Sequence, residues 1–156
     1  MQKATLKVNG KPVDLEITNE QAKAISDAYI KSTKSIVDRI NESDDPWAYV
    51  LEDQGLTQED FDKMTEHDDD DDKANKAMKL ISKCLNEGPL DPSKPWYYPV
   101  FNRDKGAGFG LTGTDCGGWG TYTSVGERRS FKSADLAVFA GRKFPHIYKP
   151  YMLILQ

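Results

Sequence analysis

The chain has 156 residues, of which 38% are hydrophobic and 29% charged, and its net charge is −4. This composition is typical of a folded protein of one domain, with or without a small appended lobe, and excludes a disordered chain. No apolar run approaches the roughly 20 residues that span a bilayer, and the first residues lack the apolar core of a secretory signal. Two cysteines without CxxC spacing indicate neither a disulfide framework nor a zinc ribbon, so we expect a cytoplasmic location.

The first predicted elements are a β-hairpin and a helix. Asn9-Gly10 separates two segments of alternating apolar residues, which is a strong hairpin signal. Thr18, followed three positions later by Gln21, predicts a capping box at the start of a helix. The apolar residues that follow at helical spacing predict a single buried face, and they are Ala22, Ile25, Tyr29, Ile36 and Ile40.

Two short helices are predicted next. Asp45 followed by Pro46 predicts the start of the first, which ends near Gly55. Thr57 predicts the cap of the second. The second helix carries the acidic sequence QEDFDKMTE, which phosphate would repel, so a helix-turn-helix that reads DNA is excluded.

The aspartate run Asp68–Asp72 precedes the longest predicted helix. A calcium loop would require a central glycine and a glutamate at position 12, and neither is in register. A second possible function of the aspartate run is to mimic the charge of a nucleic acid. We predict instead a solvated acidic segment whose aspartates stabilise the N-terminus of the next helix. That helix ends at residues 86–88, and its predicted core face consists of Ala77, Leu80, Ile81, Cys84 and Leu85.

The prolines at 89, 92 and 95 predict an extended connection and a boundary between residues 1–92 and 93–156. The first part has 12 basic and 21 acidic residues, whereas the second has 9 basic and 4 acidic residues. The second part also holds twelve of the sixteen aromatic residues. Such asymmetry indicates that the two parts meet different partners, or each other.

Residues 106–126 hold eight of the twelve glycines and include a literal GxGxxG at Gly108, Gly110 and Gly113. No helix can open in the following residues TDCGGWG, which excludes a dinucleotide fingerprint. Trp119 and Gly120 stand where a P-loop needs Lys and Ser or Thr, and Asp115 stands where a kinase glycine loop needs Val. We predict instead a twisted hairpin whose tip lies around residues 114–118, with a mobile binding loop at that tip as the alternative. Glycine opposite an aromatic ring would let the ring lie flat over the backbone.

A final helix is predicted from its cap at Ser133, with Pro145 bending or ending it. Its apolar face consists of Leu136, Phe139, Ala140, Phe144 and Ile147. The predicted fold class is therefore α+β, with a hairpin and acidic helices followed by a small antiparallel aromatic sheet that the final helix packs against.

The candidate binding site combines basic and aromatic residues of the second part. The cations could follow a nucleic-acid backbone while the rings stack on bases, which predicts an anion, nucleotide or single-strand site. The alternative is that the rings are core and the cations form a solvated rim. The candidate residues are Arg128, Arg129, Lys132, Arg142, Lys143, Trp119 and Tyr122.

Catalysis has weaker support in the sequence. Cys116 with His146 and an aspartate could form a thiol nucleophile and its base, but no known signature surrounds Cys116. His67 has no second histidine at a metal-ligand spacing. We therefore predict no catalytic residues, no metal and no cofactor.

Several phrases occur in a familiar order: ISKCLNEG (81–88), PWYYPVF (95–101), GFG (108–110), SVGERRSFKSADLAVFAGRKF (124–144) and IYKPYM (147–152). Together they resemble a module of uncharacterised small proteins of phages and mobile elements from gut bacteria. The likeness covers about residues 76–153. The chain departs from that module at Pro89, Arg129 and Pro145, where Trp, an apolar residue and an uninterrupted helix are usual.

The resemblance implies an accessory protein of a phage or mobile element, located in the host cytoplasm or in the virion. It implies an interaction platform and no catalytic residues. We therefore predict a non-enzymatic protein that binds a host protein, a nucleic acid or a nucleotide, with counter-defence as its role by analogy. The alternatives are a structural or assembly protein of the virion and a Cys-dependent enzyme. No membrane partner is predicted, and homo-oligomerisation stays open.

Overall fold

A computed structural model of the chain describes residues 2–8, 11–102, 110–117 and 129–152. This part contains two antiparallel strand pairs and seven helices, which confirms the predicted α+β class. None of the helices in the described ranges is long and apolar enough to cross a membrane. In chain order the elements are β1 (Gln2–Val8), β2 (Lys11–Ile17), α1 (Asn19–Thr33), α2 (Ile36–Glu42), α3 (Pro46–Asp53), α4 (Gln58–Met64), α5 (Asp70–Asn86), β3 (Trp96–Asn102), β4 (Gly110–Gly117), α6 (Ala134–Lys143) and α7 (Pro145–Met152).

The chain divides into two compact units, Met1–Arg39 and Ile40–Gln156. The boundary predicted between residues 92 and 93 falls inside the second unit. There α5 packs against α7, and α6 packs against β3 and β4. The helix α5, which begins with the aspartate run, and the basic C-terminal elements are therefore parts of the same unit.

The first unit opens with the predicted hairpin. β1 and β2 pair in antiparallel register from Gln2 opposite Ile17 to Val8 opposite Lys11, while the Asn9-Gly10 turn itself lies outside the described residues. On one face the hydroxyl of Thr5 donates a 2.7 Å hydrogen bond to Asp14 across the strands. Val13 and Leu15 of β2 are exposed.

The predicted single helix from Thr18 through Ile40 was wrong, because the chain forms two helices. α1 has the predicted capping box but no buried residue, and its Tyr29 is 68% exposed. The helix stops before Lys34, which is extended, and Ser35 starts α2 by accepting a hydrogen bond from the Asp38 amide at 3.2 Å. Only the apolar residues after this break, Ile36 and Ile40, are buried.

The next three helices begin at side chains that accept hydrogen bonds from free backbone amides. Asp45 caps α3 at the amides of Trp47 and Ala48, and Thr57 forms a capping box with Asp60 at the start of α4. Asp69 caps α5, whose first turn consists of aspartates. Acidic residues are favourable there because a helix N-terminus carries partial positive charge.

The core of the second unit is built around α5. The face predicted to be apolar is buried at Ala77, Ile81, Cys84 and Leu85, whereas Leu80 is partly exposed. The helix ends at Asn86, followed by Glu87 in the left-handed conformation. Phe131, Phe144 and Tyr148 from the C-terminal part complete this core.

β3 and β4 form an antiparallel pair with an irregularity that leaves Thr112 without a partner on β3. On its other side, β3 exchanges two backbone hydrogen bonds between Tyr97 and Phe131, at 2.8 and 2.7 Å. Alternate residues of a strand point their amides to the same side. Pro99 therefore stands where the next donor toward the Phe131 side would be, and it has no N–H, so the bridge stays isolated.

The last two helices follow the pattern predicted around Ser133 and Pro145. Ser133 caps α6, which ends before Phe144, and Pro145 opens α7 as its first residue. α6 lies so close to the sheet that a β-carbon on Gly141 would stand 2.6 Å from Leu111 Cδ1 and 3.0 Å from Pro99 Cβ. Only glycine leaves room for this approach.

Candidate functional site

The predicted binding residues fall into described and undescribed groups. Arg128, Trp119 and Tyr122 lie outside the described residues, and so does most of the predicted glycine-rich hairpin. The structure describes four of the predicted residues, each in a different environment: Arg129, Lys132, Arg142 and Lys143.

Lys132 takes part in a buried polar network at the end of α5. The side-chain amide of Asn86 donates to the Ser130 carbonyl at 2.9 Å and to Ser82 Oγ at 3.2 Å, and its oxygen accepts from the Lys132 amide at 2.9 Å. Ser82 Oγ also donates to the Ser130 carbonyl at 2.6 Å. The network joins α5 to the segment that leads into α6.

The ammonium of Lys132 donates a 2.7 Å hydrogen bond to the Asn86 carbonyl. This carbonyl belongs to the last residue of α5, where a helix has unpaired acceptors and a partial negative charge. Lys132 therefore caps a helix C-terminus, which gives this cation a structural role within the chain.

Arg129 and Lys143 also contact their own chain. The guanidinium carbon of Arg129 lies 4.6 Å from the centre of the Tyr151 ring, a cation–π geometry. The ammonium of Lys143 donates to Asn41 Oδ1 at 3.1 Å. Both side chains therefore have a partner within the chain.

Three exposed basic residues lie on α6 and α7, and we call them the basic surface: Arg142, His146 and Lys149. Arg142 is in the last turn of α6, and His146 and Lys149 are three positions apart on α7, so the latter two project from one side of that helix. All three residues are exposed. No Asp or Glu follows Asp135 in the sequence, so these basic residues have no acidic neighbours along this part of the chain.

A second cluster lies on the face of the β3–β4 sheet opposite α6, and we call it the aromatic face: Trp96, Tyr98 and Asp115. The rings of Trp96 and Tyr98 have centroids 5.9 Å apart and are tilted by 43°. The Tyr98 hydroxyl donates a 3.2 Å hydrogen bond to Asp115 Oδ2. Burial, followed by the charge of Asp115, raises the pKa of Tyr98, so its hydroxyl keeps its proton for this bond.

The predicted position of the hairpin tip was wrong. Residues 114–117 belong to β4 and pair with β3, so they lie within the strand rather than at a turn. Gly117 stands opposite Trp96, and Gly113 stands opposite Val100. Glycine at these positions leaves the space above the opposing side chains free of a cross-strand partner.

The aromatic face was missed because its composition did not reveal which residues share a face. The alternation in WYYPV indicates a strand, but Asp115 joins Tyr98 only through the β3–β4 register. That register depends on the unpaired Thr112, which single-sequence patterns do not show.

The proposed nucleophile and base do not meet directly. Cys116 is exposed at the end of β4, and its amide, not its thiol, donates to Asp115 Oδ1 at 2.8 Å. His146 lies on α7, and no hydrogen bond joins it to Cys116 in the described part of the chain. Among the described residues no group of three or more His, Cys, Asp or Glu side chains could hold a metal ion.

An open cleft of about 600 Å³ lies where α3 and α5 end. Its lining carries charges of both signs, because Lys83 stands beside two acidic side chains. The lining residues are Asp53, Gln54, Lys83, Glu87, Gly88 and Pro89. Mixed charge and a wide opening give it no distinct ligand chemistry.

Fold and surfaces define an α+β protein with a basic helical surface and an aromatic, acidic sheet face. Comparison with protein-family models, curated proteins and solved structures finds no match for the chain. The resemblance to a phage and mobile-element module therefore stays a prediction from the quoted phrases.

Proposed function

We propose that the chain is a non-enzymatic binding protein that holds a nucleic acid or nucleotide through its basic surface. The observation that supports this proposal is the set of exposed basic residues on α6 and α7, in a part of the sequence where no Asp or Glu follows Asp135. Lysine and arginine side chains attract phosphate and release its counterions on binding. The resemblance adds the context of a phage or mobile element, acting in counter-defence in the host cytoplasm.

The contacts of the described basic residues assign them different roles, and they add Lys149 to the residues predicted from the sequence. Arg142 and Lys149 are exposed and available to a phosphate backbone, whereas Lys132 holds the end of α5. Arg129 stacks on Tyr151, and such a pair offers a flat surface beside which a base can stack. We therefore assign backbone contact to Arg142 and Lys149, and a stacking position to Arg129.

Salt-dependent binding tests the proposal. Fluorescence anisotropy with labelled single-stranded DNA, single-stranded RNA and duplex DNA would be measured across a range of salt concentrations. Arg142→Ala with Lys149→Ala should weaken binding and reduce the slope of log affinity against log salt by about 1.4, from roughly 0.7 for each lost phosphate contact on a single strand. Lys132→Ala should lower stability while leaving the slope unchanged.

The matched control removes two cations elsewhere. Lys63 and Lys94 are exposed and pair with Glu59 and Asp91, at 2.7 and 3.5 Å. Lys63→Ala with Lys94→Ala changes the net charge equally, so a specific site predicts a much smaller effect. Equal effects of the two double variants, or binding that ignores salt, would refute a site on α6 and α7.

The two alternative functions make different predictions. A structural role in the particle predicts many copies of the chain in purified virions. A Cys-dependent activity predicts that Cys116→Ser abolishes the phenotype while the fold is kept. Either result, together with no nucleic-acid binding, would replace the proposal.

A further inference from the structure

The aromatic face presents two π-systems and a carboxylate at one place on the sheet face opposite α6. Trp96 and Tyr98 are alternate residues of β3, so both side chains stand on the same side of the strand. Asp115 stands directly opposite Tyr98 and is fixed there by two hydrogen bonds, from the Tyr98 hydroxyl and from the Cys116 amide. The cluster is thus held in place before any partner arrives.

The charges of this cluster have one sign. The faces of aromatic rings are electron-rich, and Asp115 adds a full negative charge. Asp115 is exposed, and within the described ranges it forms no ion pair with lysine or arginine. Its hydrogen bonds use one lone pair on each oxygen, so each oxygen can accept another donor.

From this arrangement we infer that the aromatic face binds a basic side chain, an arginine or lysine, of a partner protein. The guanidinium or ammonium group lies against the rings of Trp96 and Tyr98 and donates to the carboxylate of Asp115. Gly117 stands opposite Trp96 in the register, so the position across the strand pair from this ring carries no side chain. This site is separate from the basic surface and takes a ligand of opposite charge.

A nucleobase fits this site less well. Bases stack on aromatic rings, but each base brings a phosphate whose charge Asp115 repels. Arginine has a planar cation that stacks on a ring and donates several hydrogen bonds to a carboxylate at the same time. Charge complementarity therefore favours the cationic side chain.

The test uses N-acetyl-arginine amide as the probe and its citrulline counterpart as a neutral molecule of the same shape. Titration of the ¹⁵N-labelled full chain would be followed by NMR at the Trp96 indole N–H, assigned with Trp96→Phe. The arginine probe should shift this signal saturably, and citrulline should bind about fivefold more weakly or not at all. Equal binding of the two probes, or no shift with arginine, would overturn the inference.

Variants separate the site from general charge. Asp115→Asn should weaken arginine binding about three- to fivefold, whereas Asp91→Asn, which removes an exposed carboxylate that belongs to neither β3 nor β4, should not. Tyr98→Phe keeps the ring and frees Asp115 Oδ2, so binding should persist. Loss of binding in Tyr98→Phe with an intact NMR spectrum would contradict the proposed geometry.

A saturable shift of the Trp96 signal with an oligonucleotide but not with arginine would make the aromatic face a base-stacking surface instead.

Discussion

Replacement of Asn86 by alanine should destabilise the second unit strongly, although Asn86 is a polar residue that the sequence patterns did not single out. Its side chain is 5% exposed and makes three hydrogen bonds, to Ser130, Ser82 and Lys132. A hydrogen bond contributes roughly 0.5–1.5 kcal/mol net. Asn86→Ala should therefore lower the free energy of unfolding by about 2–4 kcal/mol.

The matched control is another asparagine of the same helix. Asn75 has a buried side-chain oxygen with no hydrogen-bond partner. Asn75→Ala removes an unsatisfied acceptor and introduces a better helix former, so it should be neutral or stabilising by up to about 1 kcal/mol. Ser82→Ala should cost about 1 kcal/mol, mainly through its bond to the Ser130 carbonyl.

Urea unfolding, followed by circular dichroism and by the NMR signals of residues 129–152, measures all three variants. Asn86→Asp adds a sharper comparison, because it puts a carboxylate oxygen where an amide donates to the Ser130 carbonyl, and it should cost at least as much as Asn86→Ala. Equal stability of the Asn86 and Asn75 alanine variants would refute the assigned role of the network.

Three further predictions concern packing and protonation. Gly141→Ala should lower the free energy of unfolding, measured in urea, by about 1–2 kcal/mol. The new methyl group would stand 3.0 Å from Pro99 Cβ, and the cost of this overpacking exceeds the gain in helix propensity. Increased stability would contradict this prediction. Tyr148→Phe should raise the free energy of unfolding, measured by calorimetry, by about 1 kcal/mol. The Tyr148 hydroxyl is buried without a hydrogen-bond partner, and burial raises its pKa. A clear loss of stability would show that the hydroxyl has a partner. The side-chain and backbone hydrogen bonds of Thr57 lower the pKa of Asp60 below 3.8, so the stabilisation of α4 is present above this value and is lost as the pH falls through the lowered pKa. A ¹³C titration of the carboxyl groups should show this pKa rising toward 3.8 in Thr57→Ala, and an unchanged pKa would exclude the cap as its cause.

Helix starts and ends were predictable where they depend on interactions between residues close in sequence. The capping box at Thr18, the cap at Asp45 and the end of α6 before Pro145 all appear in the structure as expected. The break between α1 and α2 was not predictable from periodicity, because Ile36 continues the spacing of Tyr29 across it. The second helix starts at Ser35, because its hydroxyl forms hydrogen bonds with the side chain and the backbone amide of Asp38.

The site was only partly predictable, because its geometry depends on contacts distant in sequence. Composition identified the basic residues, but it did not show that the ammonium of Lys132 caps a helix that ends 46 residues earlier in the chain. Likewise Tyr98 and Asp115 are 17 residues apart and meet only through strand register. The numbers of basic and aromatic residues can be read from the sequence, whereas their exposure and pairing depend on how the chain folds.

Pro99 has a consequence beyond the β3–β4 pair. An exposed strand edge is a template on which another chain can add a strand, and this is a common route to aggregation. On the Phe131 side of β3, Pro99 removes the backbone donor that such an added strand would need after Tyr97. The same residue that ends an internal bridge thus protects an aromatic-rich strand from joining the sheets of neighbouring molecules.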